Sequence, residues 1–201
     1  MKIKICGMKY SENIVQVSQL LPDYLGFIFY EKSPRFFNGT IPDIPDSIKK
    51  VGVFVDAGLE AITSRIKEHN LDIIQLHGNE SPQFCIALKN KNIQIIKAFA
   101  VNDAFNFNVL NEYESACDYY LFDTKGALPG GNGTVFNWTI LSKYQSAKPF
   151  FLSGGIGVQN INKIKSLKKL PFALDINSKF ETEAGLKNVK TLKKFQKEII
   201  N

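Results

Sequence analysis

Apolar positions along this 201-residue chain gather into short β-rich runs, and the stretches between them carry helical spacing. Eight runs read as strands, at about 2–6, 24–30, 51–55, 72–76, 93–99, 118–123, 149–153 and 171–176. Helix signals fall between them at about 11–20, 59–70, 81–90, 136–144, 159–169 and 188–200. Several strands are apolar almost throughout, as in Val51-Gly52-Val53-Phe54-Val55 and Phe150-Phe151-Leu152. A sheet covered on both faces requires that, whereas a half-solvated antiparallel sheet alternates.

Strand followed by helix, repeated along the chain, is the pattern of βα units with parallel strands. The expected fold class is α/β: a single (β/α)8 TIM barrel over residues 1–201, near the small end of the size range, with some helices shortened. The segment 40–49, with Pro42 and Pro45, is expected to hold one abbreviated helix. An open doubly wound sheet is the weaker alternative, because no Gly-x-Gly-x-x-Gly fingerprint follows the first strand.

Composition narrows the setting. With 44% hydrophobic and 22% charged residues the chain is of globular type. A chain of this length buries roughly 70% of its unfolded surface and needs no disulfide or structural metal. Cys6, Cys85 and Cys117 form no closely spaced pair and are odd in number, which fits a reducing, cytoplasmic setting. With only His69 and His77 beside them, no metal site is expected. No apolar stretch approaches the length of a membrane span, and no targeting segment is visible.

The net charge of +6 rests on lysine, since only Arg35 and Arg65 carry a guanidinium. Lys190, Lys193, Lys194 and Lys197 fall on one helical face, opposite Val189, Leu192 and Ile199. That is amphipathic packing, and neither nucleic acid nor membrane nor an obligate protein partner is expected.

In a closed βα barrel the chemistry sits where strands end, and those ends are polar here. They read Cys6-Gly7, Ser33-Pro34-Arg35, Gln75-Leu76-His77-Gly78, Asp123-Thr124, Ser153-Gly154-Gly155 and Asp175-Ile176-Asn177-Ser178. With Lys4-Ile5-Cys6-Gly7, Gly26-Phe27-Ile28-Phe29-Tyr30, Leu121-Phe122-Asp123-Thr124, Gly130-Gly131-Asn132-Gly133, Phe136 and Trp138, the chain resembles the phosphoribosylanthranilate isomerase family over nearly its whole length. The match holds in order and at the expected barrel positions.

The resemblance implies a cofactor-free Amadori rearrangement of a phosphosugar, N-(5-phosphoribosyl)anthranilate. It implies Asp123 as the acid that protonates the ring oxygen and Cys6 as the base that takes the C2′ proton. It further implies Arg35 on the anthranilate carboxylate, Asp175 on the amino group, and Gln75 and Lys4 among the substrate-binding residues. A thiol is an uncommon base, with a reference pKa near 8.5, and needs positive charge nearby. Strand alternation puts Lys4 roughly 7 Å below Cys6 inside the barrel, where it must be paired, with Asp175 or Asp123. His77 is a strand-end histidine that holds a loop, and Asp56 caps the helix after strand three.

Phosphate is expected at the loops after strands seven and eight, on Gly154, Gly155, Ser178 and Lys179. Lys179 stands where the family pattern has glycine; a positive φ there would cost about 1 kcal/mol or more. Ala184-Gly185-Leu186-Lys187-Asn188 and Asn137 are further departures. The segment 126–133 is expected either to close over substrate or to be a plain mobile loop. Two rivals stay open: a histidine-pathway-like aldose-ketose isomerase, disfavoured by Cys6 and the chain length, and a catalytically silent phosphosugar-binding barrel.

Overall fold

The computed structural model describes residues 1–124 and 137–200. Eight parallel strands close into a barrel in chain order. They are β1 (Lys2–Ile5), β2 (Tyr24–Ile28), β3 (Lys49–Phe54), β4 (Ile73–Leu76), β5 (Gln94–Val101), β6 (Tyr119–Thr124), β7 (Phe150–Leu152) and β8 (Ala173–Ile176). β1 closes the ring on β8, in register from Lys2 opposite Ala173 to Ile5 opposite Ile176.

Period-two alternation divides each strand between two cores. Tyr24, Val51, Ile73, Ile96, Ala98, Leu121, Phe151 and Ala173 pack together inside the ring. Their neighbours, such as Ile5, Leu25, Ile74, Leu76, Ile95, Phe122 and Leu174, face the outer layer and form the larger core. The apolar strands are buried on both sides, and each large side chain so buried contributes roughly 1.5–3 kcal/mol.

The outer layer contains α1 (Ser11–Ser18), α2 (Leu59–His69), α3 (Pro82–Lys89), α4 (Ile161–Lys165) and α5 (Val189–Ile200). Local chemistry sets several ends. Ser81 accepts from the Phe84 amide at 3.2 Å with Pro82 just inside the helix, and Asn70 ends α2 at φ 49°. In α5, Leu192, Phe195 and Ile199 are buried while the four lysines point outward, as the pattern predicts.

Other connections depart from the expected scheme. No helix forms at 40–49, where Pro42 and Pro45 interrupt the backbone; Phe37, 1% exposed, instead packs with Phe29 and the His69 ring over that side of the barrel. The helix expected over 136–144 is a tight 3-10 turn at Trp138–Lys143, and another, unforeseen, spans Phe107–Tyr113. The helix expected at 159–169 shrinks to a 3-10 turn at Val158–Asn160 followed by α4. After β8 comes an unforeseen antiparallel hairpin, β9 (Glu181–Glu183) with β10 (Leu186–Lys187).

Candidate active site at the barrel mouth

Cys6 follows β1 directly, and its amide donates to Ile176 O of β8 at 2.9 Å, so the thiol sits at the rim with β1 and β8 held together beneath it. Lys4, fully buried, donates to Asp175 Oδ1 at 2.9 Å. Asp175, not Asp123, is therefore its partner. Burial disfavours the Lys4 ammonium, but Asp175 and Cys6 outweigh it and hold its pKa above the ordinary value. The Cys6 pKa is raised as well: burial pushes it up, with Lys4 and Lys187 opposing and Asp175 adding to the rise.

Gly26 on β2 makes this cluster possible. A Cβ at residue 26 would lie 2.8 Å from Cys6 Sγ and 3.2 Å from Lys4 Nζ. The missing side chain is the space that thiol and ammonium occupy.

Asp123, on β6, is buried. Its Oδ1 accepts from the Thr124 amide at 2.8 Å, and its Oδ2 lies 3.3 Å from His77 Nε2. His77 Nδ1 is in turn 2.8 Å from Gln75 Nε2. Gln75 is 1% exposed, and its buried Oε1 has no hydrogen-bond partner among the described residues. His77 thus does more than hold a loop: it touches the candidate acid. Asp123 and His77 both act electrostatically on the Asp175 carboxyl, which also acts on Cys6. Asp175 is the common neighbour of thiol and acid.

Arg35 is anchored by Glu181, which accepts from Nε at 2.9 Å and from Nη2 at 2.7 Å. Among the described residues no hydrogen bond uses Nη1, so one edge of the guanidinium fork stays available. Glu181 also accepts from Lys187 Nζ, and Lys187 donates to Asn177 Oδ1 at 2.6 Å. Arg35 and Lys187 overcome the effect of burial and hold the Glu181 carboxyl below its ordinary range. Burial lowers Lys187 to about 8 against the pull of Glu181. Glu181 and Lys187 were not singled out as site residues from the sequence. Two charged residues within a Gly-containing stretch just after the last strand were the available signal.

The phosphate candidates occupy two neighbouring turns, since β7 and β8 pair directly. Gly154 and Gly155 have φ of +87° and +67°, and a Cβ at 154 would fall 2.2 Å from Thr124 Oγ1 and 3.0 Å from Asp123 Oδ1. The Gly155 carbonyl accepts from Asn160 Nδ2 at 2.9 Å. Ser178 and Lys179 lie in the 3-10 turn Ser178–Phe180, anchored by Phe180 against Phe195. Lys179 has no positive φ, so the left-handed strain considered for it does not arise.

Asp56 does not cap α2, whose N-cap is Gly58. It instead accepts from the Asn79 amide at 2.6 Å, while its own amide donates to Glu80, because the loop after β4 lies beside it. The segment 126–133 and Phe136 lie outside the described residues. Among the described residues no group of three or more His, Cys, Asp or Glu converges as metal ligands would. Nor is any helix long and apolar enough to cross a membrane.

Comparison with known proteins agrees with the closed barrel. Residues 3–198 match the family described as N-(5'phosphoribosyl)anthranilate (PRA) isomerase. The chain is 43% identical to N-(5'-phosphoribosyl)anthranilate isomerase of Parabacteroides distasonis, over 100% of this chain and 94% of that one. Among solved structures it is similar to phosphoribosyl anthranilate isomerase from Thermus thermophilus, with a TM-score of 0.87, 25% identity, and coverage of 100% and 98% of the two chains. It is also similar to a phosphoribosyl anthranilate isomerase in complex with reduced 1-(o-carboxyphenylamino)-1-deoxyribulose 5-phosphate, with a TM-score of 0.83, 29% identity, and coverage of 100% and 98%.

Proposed function

The chain belongs to the N-(5'-phosphoribosyl)anthranilate isomerase family, and we propose that Cys6 and Asp123 carry its two proton transfers. The reaction is the Amadori rearrangement of N-(5′-phosphoribosyl)anthranilate to 1-(2-carboxyphenylamino)-1-deoxyribulose 5-phosphate, in tryptophan biosynthesis. Asp123 gives a proton to the ring oxygen as the C1′–O bond breaks, and the anthranilate nitrogen supplies the electron pair that forms the Schiff base. Cys6, as thiolate, takes the C2′ proton; its electrons form the C1′–C2′ enolamine, which tautomerises to the ketosamine. Each positioned transfer contributes about 10²–10⁴-fold.

Lys4 stabilises the thiolate from below, and Asp175, held by Lys4, offers its second oxygen to the substrate amino group. The free edge of Arg35 takes the anthranilate carboxylate. Gln75 holds His77 against Asp123 and keeps Oε1 for the substrate. Phosphate lies between the turn of Gly154 and Gly155 and that of Ser178 and Lys179, where backbone amides and the Lys179 ammonium face it.

The observation that carries this reading is the Lys4–Asp175 pair at 2.9 Å beside the Cys6 thiol, in the space that Gly26 leaves open at the mouth. The test is turnover of freshly made phosphoribosylanthranilate, followed by loss of its fluorescence. Cys6→Ala and Asp123→Ala are expected to fold and bind ligand yet to lose at least about 10²-fold in kcat. Undiminished turnover in either variant removes that residue from the mechanism.

A further inference from the structure

The hairpin after β8 has no counterpart in the bare barrel scheme, yet among the described residues it carries the most deeply buried cation outside the eight barrel strands. Lys187 has a side chain with 0% exposure. Its backbone is fixed from both sides by Asn13 of α1, whose Oδ1 accepts from the Lys187 amide at 2.7 Å while its Nδ2 donates to the Lys187 carbonyl at 3.0 Å. The ammonium is thereby aimed at Asn177 Oδ1 and Glu181 Oε1.

Both of those partners lead to the Cys6 turn. A Cβ at Gly7 would lie 2.8 Å from Asn177 Oδ1 and 2.7 Å from Arg35 Cδ, and Arg35 is held by Glu181. The residue next to the thiol is therefore covered by two side chains that Lys187 and its carboxylate partner hold in place.

Charge points the same way. Among the described residues the ionised groups acting on Cys6 are Lys4, Asp175 and Lys187, and those acting on Lys187 include Glu181 and Arg35. Three cations, Lys4, Lys187 and Arg35, thus share two carboxylates, Asp175 and Glu181. Burying such an excess is unfavourable unless another anion enters the cluster. A Cys6 thiolate is one anion the cluster can take in, beside the substrate carboxylate at the free edge of Arg35.

We propose that Lys187 is a positioning residue for the Cys6 base, holding Asn177 directly and Arg35 through Glu181 against the Gly7 turn and supplying, with Lys4, the positive charge that stabilises the thiolate. This rests on Cys6 being the proton-abstracting group. It assigns the β9–β10 hairpin to the base itself as well as to the edge of the mouth, because Glu181 and Lys187 stand at its two ends.

The test measures two things in the full chain: the pH dependence of kcat/KM, and the rate of Cys6 alkylation by iodoacetamide, with Cys6→Ser as the blank for Cys85 and Cys117. Lys187→Met is expected to move the rising limb of kcat/KM upward by about one pH unit and to slow alkylation near neutral pH about tenfold. Lys187→Arg should recover most of both. A fall in kcat with limb and alkylation unmoved means a purely structural role and overturns the proposal. Should Lys187→Met fail to fold, Glu181→Gln takes its place. Removing that carboxylate takes away what keeps the buried Lys187 protonated, so the limb should move upward as in Lys187→Met; no movement, or a downward one, overturns the proposal. If Cys6→Ser keeps full turnover, the base assignment itself has failed. If Cys6→Ser is inactive and the limb is unmoved in Lys187→Met, only the role of Lys187 falls.

Discussion

Glycine 26 ties the chemistry of the mouth to a single hydrogen atom. Its position is where a β2 side chain would collide with Cys6 Sγ and Lys4 Nζ, and the first of these is part of a rim fixed by a backbone bond to β8. Gly26→Ala should therefore displace the thiol rather than relax into free space. Overpacking of this kind costs about 1–3 kcal/mol. The expected outcome is a lower urea midpoint with unchanged slope and a kcat depressed more than ten-fold, about 1.4 kcal/mol in barrier terms. Wild-type kcat in Gly26→Ala would mean that the Cys6–Lys4 contact does not matter to turnover.

At the scale of elements, one buried pair sets the loop that carries His77. Lys97, on the outward face of β5, donates to Glu80 Oε2 at 3.0 Å and to the Gly78 carbonyl at 2.7 Å, while Glu80 accepts from the amides of Asp56 and Gly78. Both side chains are 3% exposed. Lys97→Met strands the Glu80 carboxylate, and loss of one partner from a buried pair costs about 3–5 kcal/mol. Chemical unfolding should report that loss, with kcat reduced as the loop between β4 and α3 loosens around His77. An unfolding midpoint equal to that of the parent would show that the network does not hold the loop.

The elements also mark what could be read in advance. All eight strands were legible because a sheet covered on both faces needs unbroken apolar runs, which few other structures share. The stretch 40–49 misled because its length allowed a helix while Pro42 and Pro45 prevented one, and aromatic packing by Phe37 could replace it. Cys6, Asp123 and Asp175 were legible by position as strand-end residues, while the roles expected of them came from the family resemblance. The hairpin was not: Glu181 and Lys187 acquire meaning only when the chain folds back over Arg35 and Asn177, residues distant in sequence or on another turn. His77 was undervalued for the same reason, since neighbours across a ring do not reveal themselves by spacing.

Across the whole molecule, several neutral acids are buried, Cys85, Cys117 and Tyr144 in the outer core and Tyr24 inside the ring. Burial pushes Cys85 up to about 11, Cys117 up to about 12, and Tyr24 and Tyr144 up to about 12. In the unfolded chain these groups ionise from about pH 8.5 for cysteine and pH 10 for tyrosine. Between those values and the folded ones the native state binds more protons, so stability falls as pH rises. Lys187, lowered to about 8, acts in the opposite sense over the interval up to its unfolded value. One lysine is outweighed by four acids. Equilibrium unfolding is expected to give a clearly lower free energy at pH 10.5 than at pH 8; an equal or higher value would mean that these side chains are more hydrated than their burial indicates.

The central claim is that the Cys6 thiol and the Asp123 carboxyl serve one sugar from opposite sides of the same mouth. A crystal structure of this chain with reduced 1-(o-carboxyphenylamino)-1-deoxyribulose 5-phosphate tests it most directly. The account predicts Cys6 Sγ and an Asp123 oxygen each in contact with the ribulose chain, with the phosphate between Gly155 and Ser178. A ligand seated elsewhere, or one touching neither Cys6 nor Asp123, would contradict it.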